Sequence, residues 1–194
     1  MSKSDKLSEY KKKRNTEKSG EPEGKEKSEA KNRFSLQKHD ASSLHYDLRI
    51  ECDGVLKSWA VPKGPSTDTS EKRLAIQTED HPLDYLDFEG TIPEGEYGAG
   101  TVLLWDKGTY ENITEKEGKI KALKDAIKDG HFLVQLNGEK ISGGYAMTRI
   151  DKNEGQWIFV KMNDDQADAR RNPTSTENKS VKSGKDLKEI KKDE

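Results

Sequence analysis

The chain has 194 residues, 29% hydrophobic and 37% charged, with a formal net charge of −2. That length suits one ordinary domain with tails and excludes two full cores. The near-neutral balance implies no broad basic face, so a nucleic-acid partner would be gripped locally at a few phosphates; the single Cys52 excludes an internal disulfide, and no apolar run reaches the length of a signal or membrane segment, so a cytoplasmic protein is expected.

Apolar side chains are unevenly spread, with 4 in residues 1–31, 48 of 132 in 32–163 and 5 in 164–194. Only the middle can bury a core. The expected organisation is therefore a flexible basic N-terminal arm (1–31), a folded domain (32–163) and a disordered charged tail (164–194). Within the arm, the run Tyr10-Lys11-Lys12-Lys13-Arg14 is either a solvated charge run or a segment that folds over an anionic substrate.

Residues 33–39 alternate, with Phe34 and Leu36 on one face and Arg33, Ser35, Gln37 and His39 on the other. The turn-prone Asp40-Ala41-Ser42-Ser43 leads into a second alternating run, 44–51, which sets Leu44, Tyr46, Leu48 and Ile50 against His45, Asp47, Arg49 and Glu51. The two runs predict a hairpin whose polar faces share a side. Asp53-Gly54 then marks a turn into a strand over 55–61, stopped by Pro62-Lys63-Gly64-Pro65. Residues 73–81 predict a third polar-faced strand, with Leu74, Ile76 and Thr78 facing one way and Arg73, Gln77, Glu79 and His81 the other.

Glycines over 90–100 precede a strand at 101–105 and do not open a helix, so they read as turns and bulges, not a nucleotide fingerprint. Ile120, Leu123, Ala126 and Ile127 have helical spacing before Gly130, predicting a short helix that plugs a barrel. Strands at 131–136, 144–150 and 156–162 follow. The fold class is mainly β, a compact closed or partly open barrel of about eight strands with one or two short helices and disordered terminal arms.

His39, His45 and Asp47 form a candidate metal set with open positions, as in a catalytic site. Nitrogen and oxygen donors without thiolate suit Mn2+ or Zn2+, with iron or Co2+ also compatible. Gln37, Arg49, Glu79 and His81, with Lys63, Arg73 and Arg14, would surround the open side and favour an anionic substrate, hence phosphoryl chemistry. His81 is a candidate general acid. Two other readings compete: a module that grips a DNA end without cutting it, and a non-haem iron oxygenase using His45, Asp47 and either His81 or His131.

The motifs Gln37-Lys38-His39-Asp40-Ala41, Leu44-His45-Tyr46-Asp47-Leu48-Arg49, Ser58-Trp59-Ala60-Val61-Pro62-Lys63-Gly64-Pro65, Glu79-Asp80-His81-Pro82 and Gly95-Glu96-Tyr97-Gly98-Ala99-Gly100 resemble the 3′-phosphoesterase domain of DNA ligase D. The resemblance implies a compact β-barrel with its active site on the outer surface. It also implies a manganese-dependent enzyme that trims a 3′-terminal ribonucleotide to a 3′-phosphate and then removes that phosphate. By matching motif, His39, His45 and Asp47 become metal ligands, and Arg49, His81 and Tyr85 contact or protonate the scissile phosphate. Gln37, Lys63, Arg73 and Glu79 support them. The arm resembles the family's N-terminal segment through Lys13-Arg14 and Glu21-Pro22, but Asn15 stands where the family usually has Asp, which bears on ribonucleotide removal. The implied partners are DNA 3′ ends, with ligase, polymerase and end-binding repair proteins encoded separately.

Overall fold

Alternating apolar and polar side chains fold residues 33–52 into an antiparallel hairpin. Strands β1 (Arg33–Asp40) and β2 (Leu44–Cys52) pair with Phe34 opposite Ile50 and His39 opposite His45. The structure, a computed structural model, describes residues 6–25, 31–151, 153 and 155–193. Parts of the expected arm, 1–5 and 26–30, thus lie outside the described residues.

The hairpin continues into β3 (Val55–Val61), β4 (Arg73–Gln77), β5 (Gly90–Ile92), β6 (Gly100–Asn112), β7 (Glu115–Lys116), β8 (Lys119–Ile120), β9 (His131–Gly138), β10 (Ser142–Asp151) and β11 (Gln156–Lys161). Eight of these run in the order β1-β2-β3-β4-β11-β10-β9-β6, and β6 returns to pair with β1. The ring is a closed antiparallel barrel, as the strand signals predict. A bulge between Leu36 and Gln37 marks the closing ladder, β5 adds to the outside of β6, and β7 and β8 form a separate ribbon. Inside, Trp59, Phe132 and Trp157 meet with ring centroids 5.5, 5.7 and 5.8 Å apart, a spacing that favours edge-on aromatic packing.

Two elements differ from their expected form. The strand predicted over 73–81 ends at Gln77, and its faces are reversed: Ala75 is buried while Leu74 is 38% exposed. Ala75 lies opposite Trp157 and Gln77 opposite Trp59, so a small inward side chain leaves room for both indoles. The helix starts later than predicted. Among the helices α1 (Ser8–Lys13), α2 (Thr16–Ser19), α3 (Leu123–Asp129), α4 (Pro173–Thr176) and α5 (Leu187–Lys192), α3 buries Leu123, Ala126 and Ile127 and ends at Gly130, whose φ of 90° lets its N–H reach Ala126 O and Ile127 O. Ile120 belongs to β8 and is 60% exposed, because Glu117 and Gly118 at φ 53° and 77° turn the chain into the ribbon first.

Residues 164–193, read from composition as a disordered tail, wrap the barrel in the structure. Trp105 Nε1 donates to Glu177 O at 2.6 Å, Val181 N donates to Leu104 O at 2.9 Å, and Thr67 Oγ1 donates to Asp168 O at 2.7 Å. Helix α5 opens with a capping box of Asp186 and Glu189 and buries Ile190 in the main core. Backbone partners of this kind leave no mark on composition. Among the described residues no helix is long and apolar enough to cross a membrane.

Candidate active site

Leu36, Tyr46, Leu48 and Ile50 fill the barrel, so Gln37 and His39 of β1 and His45, Asp47 and Arg49 of β2 emerge on the outer face. His39 Nδ1 stands 3.5 Å from Asp47 Oδ2, and His45 Nε2 stands 3.3 Å from Asp47 Oδ1. Candidate ligand atoms of all three lie within 4.8 Å of one another. The remaining ring nitrogens face carbonyls, His39 Nε2 at 2.8 Å from Gly98 O and His45 Nδ1 at 3.1 Å from Ser43 O. A carbonyl only accepts, so those nitrogens carry the protons and the lone pairs of His39 Nδ1 and His45 Nε2 turn toward Asp47. Metal-binding imidazoles are oriented in this way. Burial works against the charge on Asp47, but Arg49, 3.7 Å away, holds its carboxyl well below the usual carboxylate range. Two imidazole nitrogens and one anionic oxygen therefore fit a divalent cation with open positions.

Beside this trio, Arg49 Nε donates to Gln37 Oε1 at 3.0 Å, and Gln37 Nε2 donates to the carbonyls of Tyr85 and Phe88 at 2.9 and 3.0 Å. Gln37 thus sets the direction of the guanidinium, which lies 4.9 Å from the Tyr85 ring centre. His81 follows β4, its backbone bridged to Leu56 in both directions at 2.8 and 3.0 Å. Its Nδ1 is 2.9 Å from Glu79 O and 3.2 Å from Arg49 Nη1, and its Nε2 is 3.1 Å from Arg14 Nη2. The consistent tautomer donates from Nδ1 to the carbonyl and accepts at Nε2 from Arg14. Burial, then Arg49 and Arg14, push the imidazole well below its ordinary pKa, so His81 is neutral in the free site.

The arm completes the cleft. Arg14 donates through Nε to Glu21 Oε2 at 3.0 Å and through Nη1 to Glu79 Oε1 at 2.8 Å, while Tyr85 OH donates to the same Glu21 oxygen at 2.8 Å. Tyr10 is fully buried, with its ring 5.1 Å from His81 and 4.3 Å from the Arg14 guanidinium, and its OH donates to Pro22 O at 2.6 Å. The basic run ending at Arg14 is therefore folded over the site. Asn15 is exposed and accepts from Lys18 N at 3.4 Å as the cap of α2.

Of the residues singled out in the sequence, Arg14, Glu21, His39, His45, Asp47, Arg49, Glu79, His81 and Tyr85 line one cleft of about 260 Å³, and Gln37 stands behind it. Lys63 and Arg73 do not line it. Lys63 is exposed in the turn after β3, and Arg73 sits on the reversed face of β4, paired with Glu71 at 2.6 Å. His131 is also elsewhere, 2.9 Å from Thr148 Oγ1. Sequence reasoning missed Tyr10 as the hinge pin of the arm, although a large aromatic in a segment so poor in apolar residues was its signal. It also missed the Gly98 carbonyl, because backbone acceptors have no side-chain signature.

The family model described as the DNA Ligase D 3′-phosphoesterase domain matches residues 37–149, more than half of the chain. The multifunctional non-homologous end joining protein LigD of Pseudomonas aeruginosa is 46% identical over 166 residues, covering 83% of this chain and 19% of that protein. Its counterpart in Mycobacterium tuberculosis is 46% identical over 160 residues, covering 81% and 20%, and that in Mycolicibacterium smegmatis 46% over 164 residues, covering 82% and 21%. The chain spans about a fifth of the length of these relatives. The family match contains His39, His45 and Asp47, which could hold a metal ion, together with Arg49, His81 and Tyr85, and the chain belongs to the DNA ligase D 3′-phosphoesterase domain family.

Proposed function

We propose that the chain is a metal-dependent phosphoesterase that heals DNA 3′ ends in non-homologous end joining, removing 3′-terminal ribonucleotides and 3′-phosphates to leave a 3′-hydroxyl. The observation that supports this best is the meeting, in one cleft, of two imidazole lone pairs and Asp47 with the guanidinium groups of Arg49 and Arg14. His39, His45 and Asp47 would hold the ion, most suitably Mn2+, with Zn2+ and Co2+ also compatible with these donors. When bound, such an ion polarises a phosphoryl oxygen and acidifies water.

The chain's own groups carry the rest. Arg49, aimed by Gln37, and Arg14, held by Glu21 and Glu79, neutralise the phosphate oxygens. The negative charge of a bound phosphate offsets both guanidinium charges beside His81, so the imidazole becomes easier to protonate on substrate entry. His81 then hands its proton to the leaving oxygen, with Tyr85 and Tyr10 packed around its ring. Ligase, polymerase and end-binding activities would act on the healed end.

A primer–template ending in a 3′-phosphate, incubated with and without Mn2+ and repeated with a 3′-ribonucleotide end, tests the proposal. Hydroxyl formation that needs metal and disappears in His45→Ala is expected. Hydroxyl formation that survives His45→Ala would remove the metal site, and a wild type that binds the end but forms no hydroxyl under any metal would be a binding module. An oxygenase would instead release succinate from 2-oxoglutarate with iron. Arg49 so close to Asp47, and His81 seated between arginines and not among the ligands, speak against that outcome.

A further inference from the structure

The cleft has two tyrosines, and only one has a task in the reading above. Tyr85 is 3% exposed and enclosed by Arg49, His81 and Glu21, whereas Tyr97 at the cleft's mouth is 46% exposed. Tyr97 is held in place by its backbone: Ala99 N donates to Glu96 O at 3.1 Å, Glu96 N donates to Pro93 O at 3.2 Å, and the neighbouring Gly98, at φ 74°, fixes His39 through its carbonyl. The backbone therefore anchors Tyr97 in the wall of the cleft that also holds His39, His45 and Asp47. Arg14 and Lys13 lie over the ring, 4.9 and 5.2 Å from its centre, while nearly half of the residue remains open to solvent.

Size limits what enters beside it. The cleft holds about 260 Å³, below the roughly 300–1,000 Å³ of sites that enclose a whole small ligand. A terminal phosphate and its sugar fill that space, and the base attached to the sugar stays at the mouth. The geometry points to Tyr97 as the stacking platform for the terminal nucleobase of the DNA strand whose 3′-phosphate enters the cleft. This inference rests on the proposed 3′-end activity and adds a positioning residue to it. Because every base has a π face, the platform accepts all four bases, and Lys13 and Arg14 beside it meet the strand's backbone.

The ring's other conceivable task is to act as a shelf for Arg14, and the test separates the two. The full chain is titrated, without added metal, into two duplexes ending in a 3′-phosphate, one with 2-aminopurine as the terminal nucleotide and one with an abasic terminal nucleotide. Wild type, Tyr97→Phe and Tyr97→Trp are expected to quench 2-aminopurine. Tyr97→Ala is expected to lose the quench and to bind that duplex about tenfold more weakly, within the range of base–aromatic stacking. On the abasic end, wild type and Tyr97→Ala should bind equally. An equal loss on both ends, or wild-type binding without quenching, would overturn the platform. Because the signal is read without turnover, a wild type that quenches but never hydrolyses would sink the proposed activity and leave the platform standing. One that hydrolyses without quenching would do the reverse.

Discussion

Residues 6–25 and 164–193 flank the barrel with similarly few apolar side chains, yet they are held by different forces. The first segment docks through Arg14, Glu21, Lys13 and Glu79 around the buried edge of Tyr10. The second docks through backbone hydrogen bonds and the aliphatic Ile190. Arg14, Glu21 and Glu79, which hold the arm, also line the cleft, so its docking and the proposed chemistry are coupled. The backbone hydrogen bonds and the aliphatic side chain that hold the tail join the barrel and its core, so its docking and the stability of the barrel are coupled.

Arg14→Ala should have the largest effect. It removes a cleft guanidinium that the proposed activity assigns to the phosphate, and a loss of about 10²- to 10³-fold in 3′-phosphate removal is expected with little change in melting temperature. A comparable fall in melting temperature would mean that the arm is part of the barrel's fold and that the contrast is false. Ile190→Ala should do the opposite, costing about 2 kcal/mol and roughly 4–8 °C of melting temperature while activity per folded molecule is retained.

Acid should separate the two segments next. Burial works against the charge on Glu79, but Arg14 and Lys13 lower its pKa on balance. A depressed folded-state value means that this contribution is complete above the ordinary glutamate value of about 4.3 and is lost as pH falls below it. Amide exchange, corrected for its intrinsic pH dependence, should therefore rise in α1 before it rises in α5 as the solution is acidified. Raising salt to about 1 M, where the screening length is about 3 Å, should bias exchange in the same direction by a smaller amount. The smallest effect belongs to Asn15→Asp. Both residues cap helices equally well, so stability should move by only a few tenths of a kcal/mol. Only 3′-ribonucleotide removal should rise, and an unchanged ratio of the two activities would show that Asn15 is no handicap.

How much could be read in advance follows from the same forces. The hairpin's two faces were legible because a period of two assigns each side chain from Phe34 to Glu51 to a side without knowledge of neighbours. The faces of β4 were not. Leu74 and Ile76 look like core residues until Trp157 and Trp59 on the adjoining strands claim the interior and leave space only for Ala75. Glu79 and His81 reach the cleft all the same, because a backbone bridge to Leu56 redirects the chain after β4 ends. Lys63 and Arg73 fit the chemistry of the site but not its position, and residue type alone could not sort them from Arg14.

The closing ladder between β1 and β6 has one further implication, for how the molecule tolerates changes of length. With β1 and β2 clamped into a ring, interior packing takes the even-numbered and surface chemistry the odd-numbered places of two strands of 8 and 9 residues. A one-residue slip of β2 against β1 would send His45 and Asp47 inward and Tyr46 and Leu48 outward in a single step. Lineages should therefore vary this protein by growth at its termini and its glycine-rich loop, and almost never by an indel in that hairpin.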